Sequence, residues 1–420
     1  MAIPLSSRLR TILRPIQGRT FPTLSRRSST IVDCRSDTVT LPTPAMLQSI
    51  SISRLGDDVM GEDATVTLLE RTVAEIFGKA AGLFVPTGTM ANLCSLISHG
   101  ASHDAPECII GSRSHMNIYE GGHAAMHASM HLRQLEEISS PSSPPDTLAT
   151  LDFDDIADAI RVDDPHYPTT AMVSIENTHN VLGGVPVPPA YFSNLRTALD
   201  TMCAASGVLH KVPVHIDGAR IFHACEALES CPSVLTEHAD SVSVCLSKGL
   251  GAPAGTVLVG SEDFISRARR ARKRLGGGMR QSGVLAAMGI FALEHHVERL
   301  SEDRERAQRF SDVLVREGGF ILPYGPVRTN LAFFCLPKEV FPMEIADDWT
   351  GDEASRNVIE DVLDDLKERH GVLVGGGYGR GGRVIRAAFH KDVDDEGLEK
   401  AMKGLLDVAN CWKGGEKKSM

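Results

Sequence analysis

The sequence predicts an α/β protein, with a mostly parallel central sheet in a large domain and a small α+β domain at the C-terminal end. Two observations predict it. Apolar runs of β character alternate with helical patterns through the first part of the chain, and beyond about residue 320 one helix and two strand-like runs form a shorter set of their own. A chain of 420 residues is long enough for two domains. We place a basic leader at 1–32, an N-terminal arm and the large domain at 33–300, and the small domain at 301–420.

The leader carries six arginines, many Ser and Thr, and no acid. That is transit-peptide chemistry and predicts a mitochondrial address, with a cytoplasmic protein bearing a basic tail as the alternative. "DCRSDTVTLPTPAM" (33–46) reads as an extended arm, because its prolines and Thr/Asp residues resist helix. "TVTLLERTVAEIFG" (65–78) has helical spacing and stops at Gly78. "AGLFVP" (81–86) reads as a strand and "TGTMANLCSLISHG" (87–100) as the helix after it. Further β runs lie at 107–111, 171–177, 212–219 and 241–247. Residues 282–318 read as one long amphipathic stretch able to bridge two domains. The small domain takes a helix at 355–370 and strands near 327–337 and 382–389.

Composition excludes several functions. A net charge of −11 argues against nucleic acid as a partner. No apolar run approaches the roughly 20 residues of a membrane span. Nine cysteines lack CxxC or CxxH spacing, so they read as reduced thiols and core filler.

Four features carry chemistry. Lys248 ends the apolar run "SVSVCLS" and is followed by glycines, with no acid before Glu262. A lysine drawn out of water becomes a nucleophile able to form a Schiff base; the plainer reading is a buried stem with a solvated head. Asp217, in "VHIDGAR", sits at the carboxyl end of a strand, where ligands bind in open α/β sheets and where a carboxylate can hold a proton on a pyridine nitrogen. Thr87, Gly88 and Thr89 lie between strand and helix, so backbone N–H groups can converge on a phosphate there. Arg220, Arg280 and Arg386 offer forks for carboxylates and phosphates. Schiff-base lysine, pyridinium partner, phosphate turn and carboxylate clamps together specify pyridoxal 5'-phosphate.

Two competing motifs fail. Gly377, Gly379 and Gly382 spell G-x-G-x-x-G but run into a strand rather than a helix, so a hairpin is expected instead of a dinucleotide site. His123, His127 and His131 recur every four residues, as metal ligands on one helix face do, yet the acids of a metallohydrolase are missing and no metal site is expected.

With those residues in view, the chain resembles the low-specificity L-threonine aldolases, fold type I pyridoxal-phosphate enzymes of the aspartate-aminotransferase-like kind. The resemblance runs from about 33 to 400 through ordered blocks, among them "RSDTVTLPTPAM", "GDDVMGEDATV", "FVPTGTMANL", "SRSHMNIYEGG", "IENTHNVLGGVPVP", "VHIDGARIFHA", "LGGGMRQSG" and "IRAAFHKDV". It implies retro-aldol cleavage of threonine and related β-hydroxy-α-amino acids to glycine and an aldehyde. It makes Lys248 the Schiff-base lysine and Asp217 the ring-nitrogen partner. Gly88, Thr89 and Arg280 would hold the phosphate, the arginine from a neighbouring subunit. His115 would stack on the ring. Ser36, Arg220 and Arg386 would hold the substrate carboxylate, with His179 near its hydroxyl. For the proton on that hydroxyl, His179, His115 and an ordered water remain candidates. The resemblance also implies at least a dimer, with a tetramer favoured. The alternatives are another fold type I lyase or racemase, or a non-catalytic homologue. Two departures matter: Met60 stands where the family has Tyr, removing an aromatic hydroxyl from the site, and Phe389 is expected to narrow the pocket near Arg386.

Overall fold

The computed structural model describes residues 31–140, 142–161, 164–208, 210–340, 353–379 and 382–413. Nearly all of the basic leader lies outside the described residues. Eleven strands occur among those described: β1 (Val32–Cys34), β2 (Ala81–Val85), β3 (Pro106–Gly111), β4 (His131–Leu135), β5 (Thr169–Glu176), β6 (Val214–Gly218), β7 (Ser241–Cys245), β8 (Thr256–Gly260), β9 (Leu331–Phe334), β10 (Val372–Tyr378) and β11 (Val384–Ala388).

They form two sheets. The larger has the order β2-β8-β7-β6-β5-β3-β4. The pairs β7/β6, β6/β5, β5/β3 and β3/β4 are parallel, and only β8 runs against its neighbours. β3, β6, β7 and β8 are buried along their whole length, as expected of a sheet covered on both faces. On one face, the helices Gly88–Gly100 and Glu262–Arg274 share a core of Leu83, Val85, Ala91, Cys94, Leu258, Phe264 and Ala268. The smaller sheet, β1-β10-β11-β9, is mainly antiparallel. Its helices Leu300–Gly318, Glu353–His370 and Asp395–Cys411 contribute to a separate core around Phe310, Phe334, Leu366, Phe389 and Leu405.

The chain divides into two compact units, one containing Pro42–Asn180 and Val185–Glu298, the other Val181–Gly184 and the described residues from Arg299 onward. The arm strand β1 groups with the smaller unit and not, as expected, with the large domain, because Val32, Asp33 and Cys34 pair in parallel with Val372, Leu373 and Val374.

Three other expectations need correction. The arm is not wholly extended: Pro44 opens the helix Pro44–Ser49, capped by the Thr43 hydroxyl, since proline is tolerated at the first helical position. The stretch 282–318 is two helices, Gly283–His295 and Leu300–Gly318. The first buries small and apolar residues rather than facing water, and just beyond it His296 is pinned by its Nδ1 bond to the Leu250 carbonyl at 2.6 Å. The spaced histidines do not share a helix: His123–Ala128 is a six-residue helix, while His131 begins β4. The glycine run near 377 belongs to β10 and its antiparallel pairing with β11, in line with a hairpin. All nine cysteines are unpaired thiols, six of them buried.

Candidate active site

Six of the seven strands end at one edge of the large sheet. β3, β4, β5, β6 and β7 point the same way, and β2 joins them because two successive antiparallel steps, through β8, restore its direction. The segments leaving that edge carry Thr87–Thr89 after β2, His115 after β3, Asn177–His179 after β5, Asp217 at the end of β6 and Lys248 after β7.

Asp217 stands beside Glu176 on one neighbouring strand and Ser243 on the other. It is 5% exposed, and three donors reach it: Asn92 Nδ2 at 2.8 Å on Oδ2, the Ala219 N–H at 3.2 Å and Ser243 Oγ at 3.4 Å on Oδ1. Burial alone would raise its pKa. The positive fields of His115 and Lys248, with the Asn92 bond, outweigh burial and hold the carboxyl below its usual range. The result is a buried, ionised acceptor.

Lys248 is half-buried rather than enclosed, three residues beyond the end of β7. Its backbone carbonyl accepts from Gly251 N–H at 2.7 Å, closing a tight turn. The glycines after it have separate reasons. A Cβ on Gly249 would lie 2.0 Å from His223 Cε1, so only a bare backbone passes that ring. Gly255 has φ +106°, a conformation suited to glycine alone, and a Cβ there would lie 2.4 Å from Phe84 Cε2. Among the described residues, the Lys248 ammonium group has no hydrogen bond or ion pair.

The turn after β2 opens the Gly88–Gly100 helix. Thr87 caps it, its Oγ1 accepting from Met90 N–H at 3.1 Å. Among the described residues a Cβ on Gly88 would find only Thr256 Oγ1, at 3.8 Å, and that buried hydroxyl has no hydrogen-bond partner. Open space, orphaned hydroxyl and helix N-terminus suit an anion, as does the exposed Thr89 beside them. Arg280 is exposed and pairs with Asp57 at 2.9 Å.

His115 bonds through Nδ1 to Glu120 Oε1 at 2.8 Å. Burial would lower its pKa, but Glu120, Asp217 and Glu176 raise it. His115, Glu120 and Asp217 bring ligand atoms within 4.8 Å of one another. Asn92 donates to both carboxylates there, so the three groups are bound into a hydrogen-bonded clasp. His179 is 2% exposed, and its Nε2 lies 3.0 Å from Glu137 Oε1 while Nδ1 has no hydrogen-bond partner among the described residues. Glu137 is fixed in turn by the Arg113 N–H at 3.0 Å. Arg220 is buried at the start of the Ile221–Ala227 helix, and its Nη1 reaches Asn180 Oδ1 at 3.4 Å.

Ser36 and Arg386 belong to the smaller unit. Ser36 Oγ accepts from Thr38 N–H at 3.3 Å. Arg386 stacks on the Tyr378 ring, 4.6 Å from its centroid, and donates to the Arg35 carbonyl at 2.8 Å. Phe389 narrows no pocket; it is fully buried against Phe310 in the core of this unit. Met60 is 71% exposed. Sequence reasoning missed Asn92, Glu120, Glu137 and Tyr378.

A mostly parallel seven-stranded sheet, with a lysine and a buried carboxylate leaving adjacent strand ends, defines the class of the fold type I enzymes. A solved threonine aldolase from Leishmania major shares this fold, with a TM-score of 0.67 over 90% of this chain and 99% of that one at 16% identity. Residues 33–335 match the beta-eliminating lyase family. Over 309 residues the chain is 40% identical to the low specificity L-threonine aldolase of Escherichia coli O157:H7, spanning 74% of this chain and 86% of that protein. It is also 36% identical over 300 residues to the alanine racemase TOXG of Cochliobolus carbonum, spanning 68% and 71%. The chain therefore belongs to the beta-eliminating lyase family, within the group of the low-specificity L-threonine aldolases.

Proposed function

We propose that this lyase cleaves L-threonine, L-allo-threonine and related β-hydroxy-α-amino acids to glycine and an aldehyde, with pyridoxal 5'-phosphate as cofactor. One observation carries the reading: a buried ionised carboxylate and a lysine with no ion-pair partner among the described residues leave adjacent strand ends, Asp217 and Lys248. The cofactor supplies an aldehyde that bonds amines and a protonated ring that accepts an electron pair.

The residues present fit that group. Lys248 would hold the cofactor through its aldehyde, Asp217 would keep the ring nitrogen protonated, and His115 would serve the ring face. Gly88 and Thr89 would hold the phosphate beside the orphaned Thr256 hydroxyl, with Arg280 contributed by a neighbouring subunit. Arg220 grips the substrate carboxylate; the assignment of Ser36 and Arg386 to the same carboxylate rests on the sequence resemblance. Holding that carboxylate would fix the substrate's orientation about Cα and so select Cα–Cβ cleavage. His179 takes the hydroxyl proton. Glu137 orients it through Nε2 and leaves the Nδ1 lone pair for the substrate, while His115 and an ordered water are the other acceptors. The chain acts as a homo-oligomer, a dimer at least and a tetramer by resemblance.

The test is a product assay on purified protein loaded with pyridoxal phosphate. Acetaldehyde and glycine should appear from threonine and allo-threonine, and Lys248→Ala should lose both turnover and the visible-edge absorbance of the bound cofactor. The kinship with an alanine racemase favours a second reading, inversion at Cα, and the family's name a third, β-elimination. D-alanine from L-alanine, or pyruvate and ammonia from serine, in place of acetaldehyde would establish one of those.

A further inference from the structure

Behind Asp217 a line of buried polar side chains runs back along the sheet. His215 lies two residues earlier on β6 and so shares the face of Asp217, and Ser241 is its partner on β7. Asn92 comes from the Gly88–Gly100 helix, one turn beyond Gly88, and His99 from the same helix two turns further on. Asn92 Nδ2 is 2.8 Å from both Asp217 Oδ2 and Glu120 Oε1. Asn92 Oδ1 is 3.3 Å from His215 Nε2, His215 Nδ1 is 2.9 Å from Ser241 Oγ, and that oxygen is 2.8 Å from His99 Nε2.

Charge leaves one consistent way to place the hydrogens. Two carboxylate oxygens demand N–H groups, so the Asn92 amide turns its nitrogen to them and its oxygen to His215. His215 then donates from Nε2, and its Nδ1 accepts from the Ser241 hydroxyl. Ser241 Oγ accepts in turn from His99 Nε2–H. His215 must be neutral for this order, since its Nδ1 accepts, and His99 must carry a proton on Nε2. Burial lowers His215 to about 4 and places His99 well below its ordinary value. Reversing the chain would set the Asn92 oxygen against a carboxylate, or an imidazole lone pair against the Asn92 oxygen.

We propose that Asn92 is a positioning residue for this reaction: locked in one orientation by His215, Ser241 and His99, it binds Asp217 and Glu120 by one N–H each and fixes the ring-nitrogen carboxylate as an acceptor. Because Glu120 also receives His115 Nδ1–H, the same amide joins the residue that would partner the ring nitrogen to the one that would serve the ring face. This rests on the proposed role of Asp217.

The holoenzymes Asn92→Ala, Asn92→Asp and His215→Phe test it against wild type. Removing the two donors should lower kcat for threonine by about 30-fold while leaving KM within about threefold, the pattern of a group that acts in the transition state. The pH midpoint of the bound cofactor's visible band should move with it. Asn92→Asp, which sets a third carboxylate against two, should act most strongly, and His215→Phe in the same direction but less. A folded, cofactor-loaded Asn92→Ala with wild-type kcat and an unmoved midpoint overturns the proposal. Should the Asn92 variants not fold, His215→Phe and the histidine 15N spectrum of the cofactor-free wild type decide. That spectrum should report His215 as the neutral Nε2–H form at pH 6; an Nδ1–H or protonated His215 overturns the chain. If wild type bound cofactor but released no acetaldehyde, the proposed reaction would fall while that spectrum and the cofactor's midpoint still judged the network.

Discussion

His179 shows how one buried pair sets stability and activity at different pH. Burial would lower its pKa, but Glu176 and Glu137 raise it above the ordinary 6.5. Burial would raise Glu137, but the His179 bond and charge lower it below the ordinary 4.5. A histidine with a raised pKa adds stability that is complete below its unfolded value and lost as pH rises through the folded one. A carboxylate with a lowered pKa adds stability that is present above its unfolded value and lost as pH falls through the folded one. The pair thus stabilises the fold most between pH 4.5 and 6.5. Proton abstraction needs the opposite state of His179, the neutral ring. kcat/KM for threonine should therefore rise with pH through the raised His179 value, above the window of greatest stability. Glu137→Gln removes one cause of the raised pKa, so its acid limb should shift to lower pH, with reduced kcat from the loss of orientation. A pH–rate profile whose acid limb stays in place in that variant would remove His179 as the base and leave His115 or water.

At the scale of the element, the Gly88–Gly100 helix does two jobs, one at its first residue and one at its fifth. Gly88 is bare where an anion is to sit, yet its Cβ would meet nothing closer than 3.8 Å. Gly88→Ala should therefore leave the melting temperature of the cofactor-free protein unchanged or slightly higher, since alanine is the better helix former, while weakening cofactor binding by about tenfold. Equal cofactor affinity in the variant would place the phosphate elsewhere. Gly88 and Lys248 were legible in the sequence because their signals are local: a strand, a tight turn, and the residue at the corner. Asn92 was not, although it lies in a quoted block. Its partners are 28, 123 and 125 residues away, and nothing in a helical asparagine announces them. The same limit hid β4, an edge strand whose "HLRQL" lacks alternation, and β10, whose glycines mask its pairing. Phe389 misled for a related reason. Adjacency to Arg386 in sequence suggested a shared pocket, but three residues along, Phe389 packs into the core beside Phe310 while Arg386 lies against Tyr378.

For the whole molecule, the single chain leaves a run of apolar groups exposed. Leu47, Ile52, Leu55, Val59 and Met60 are all exposed between positions 47 and 60, and Arg280, bonded to Asp57 beside them, keeps its side chain 60% exposed. Exposed apolar residues gathered in one segment mark an interaction surface, and in a symmetric dimer each copy covers the other with the same patch. If Arg280 serves the phosphate of its neighbour, the site is built from two chains and two different defects can complement each other. Co-expressed subunits carrying Lys248→Ala and Arg280→Ala under different tags can be isolated as hybrids. In a two-fold assembly one site of each hybrid receives both defects and the other receives neither, so activity at limiting cofactor should return to roughly half that of wild type. Each variant alone should stay far below that level. Hybrids no more active than the mean of their parents would assign Arg280 to its own chain and remove the shared site.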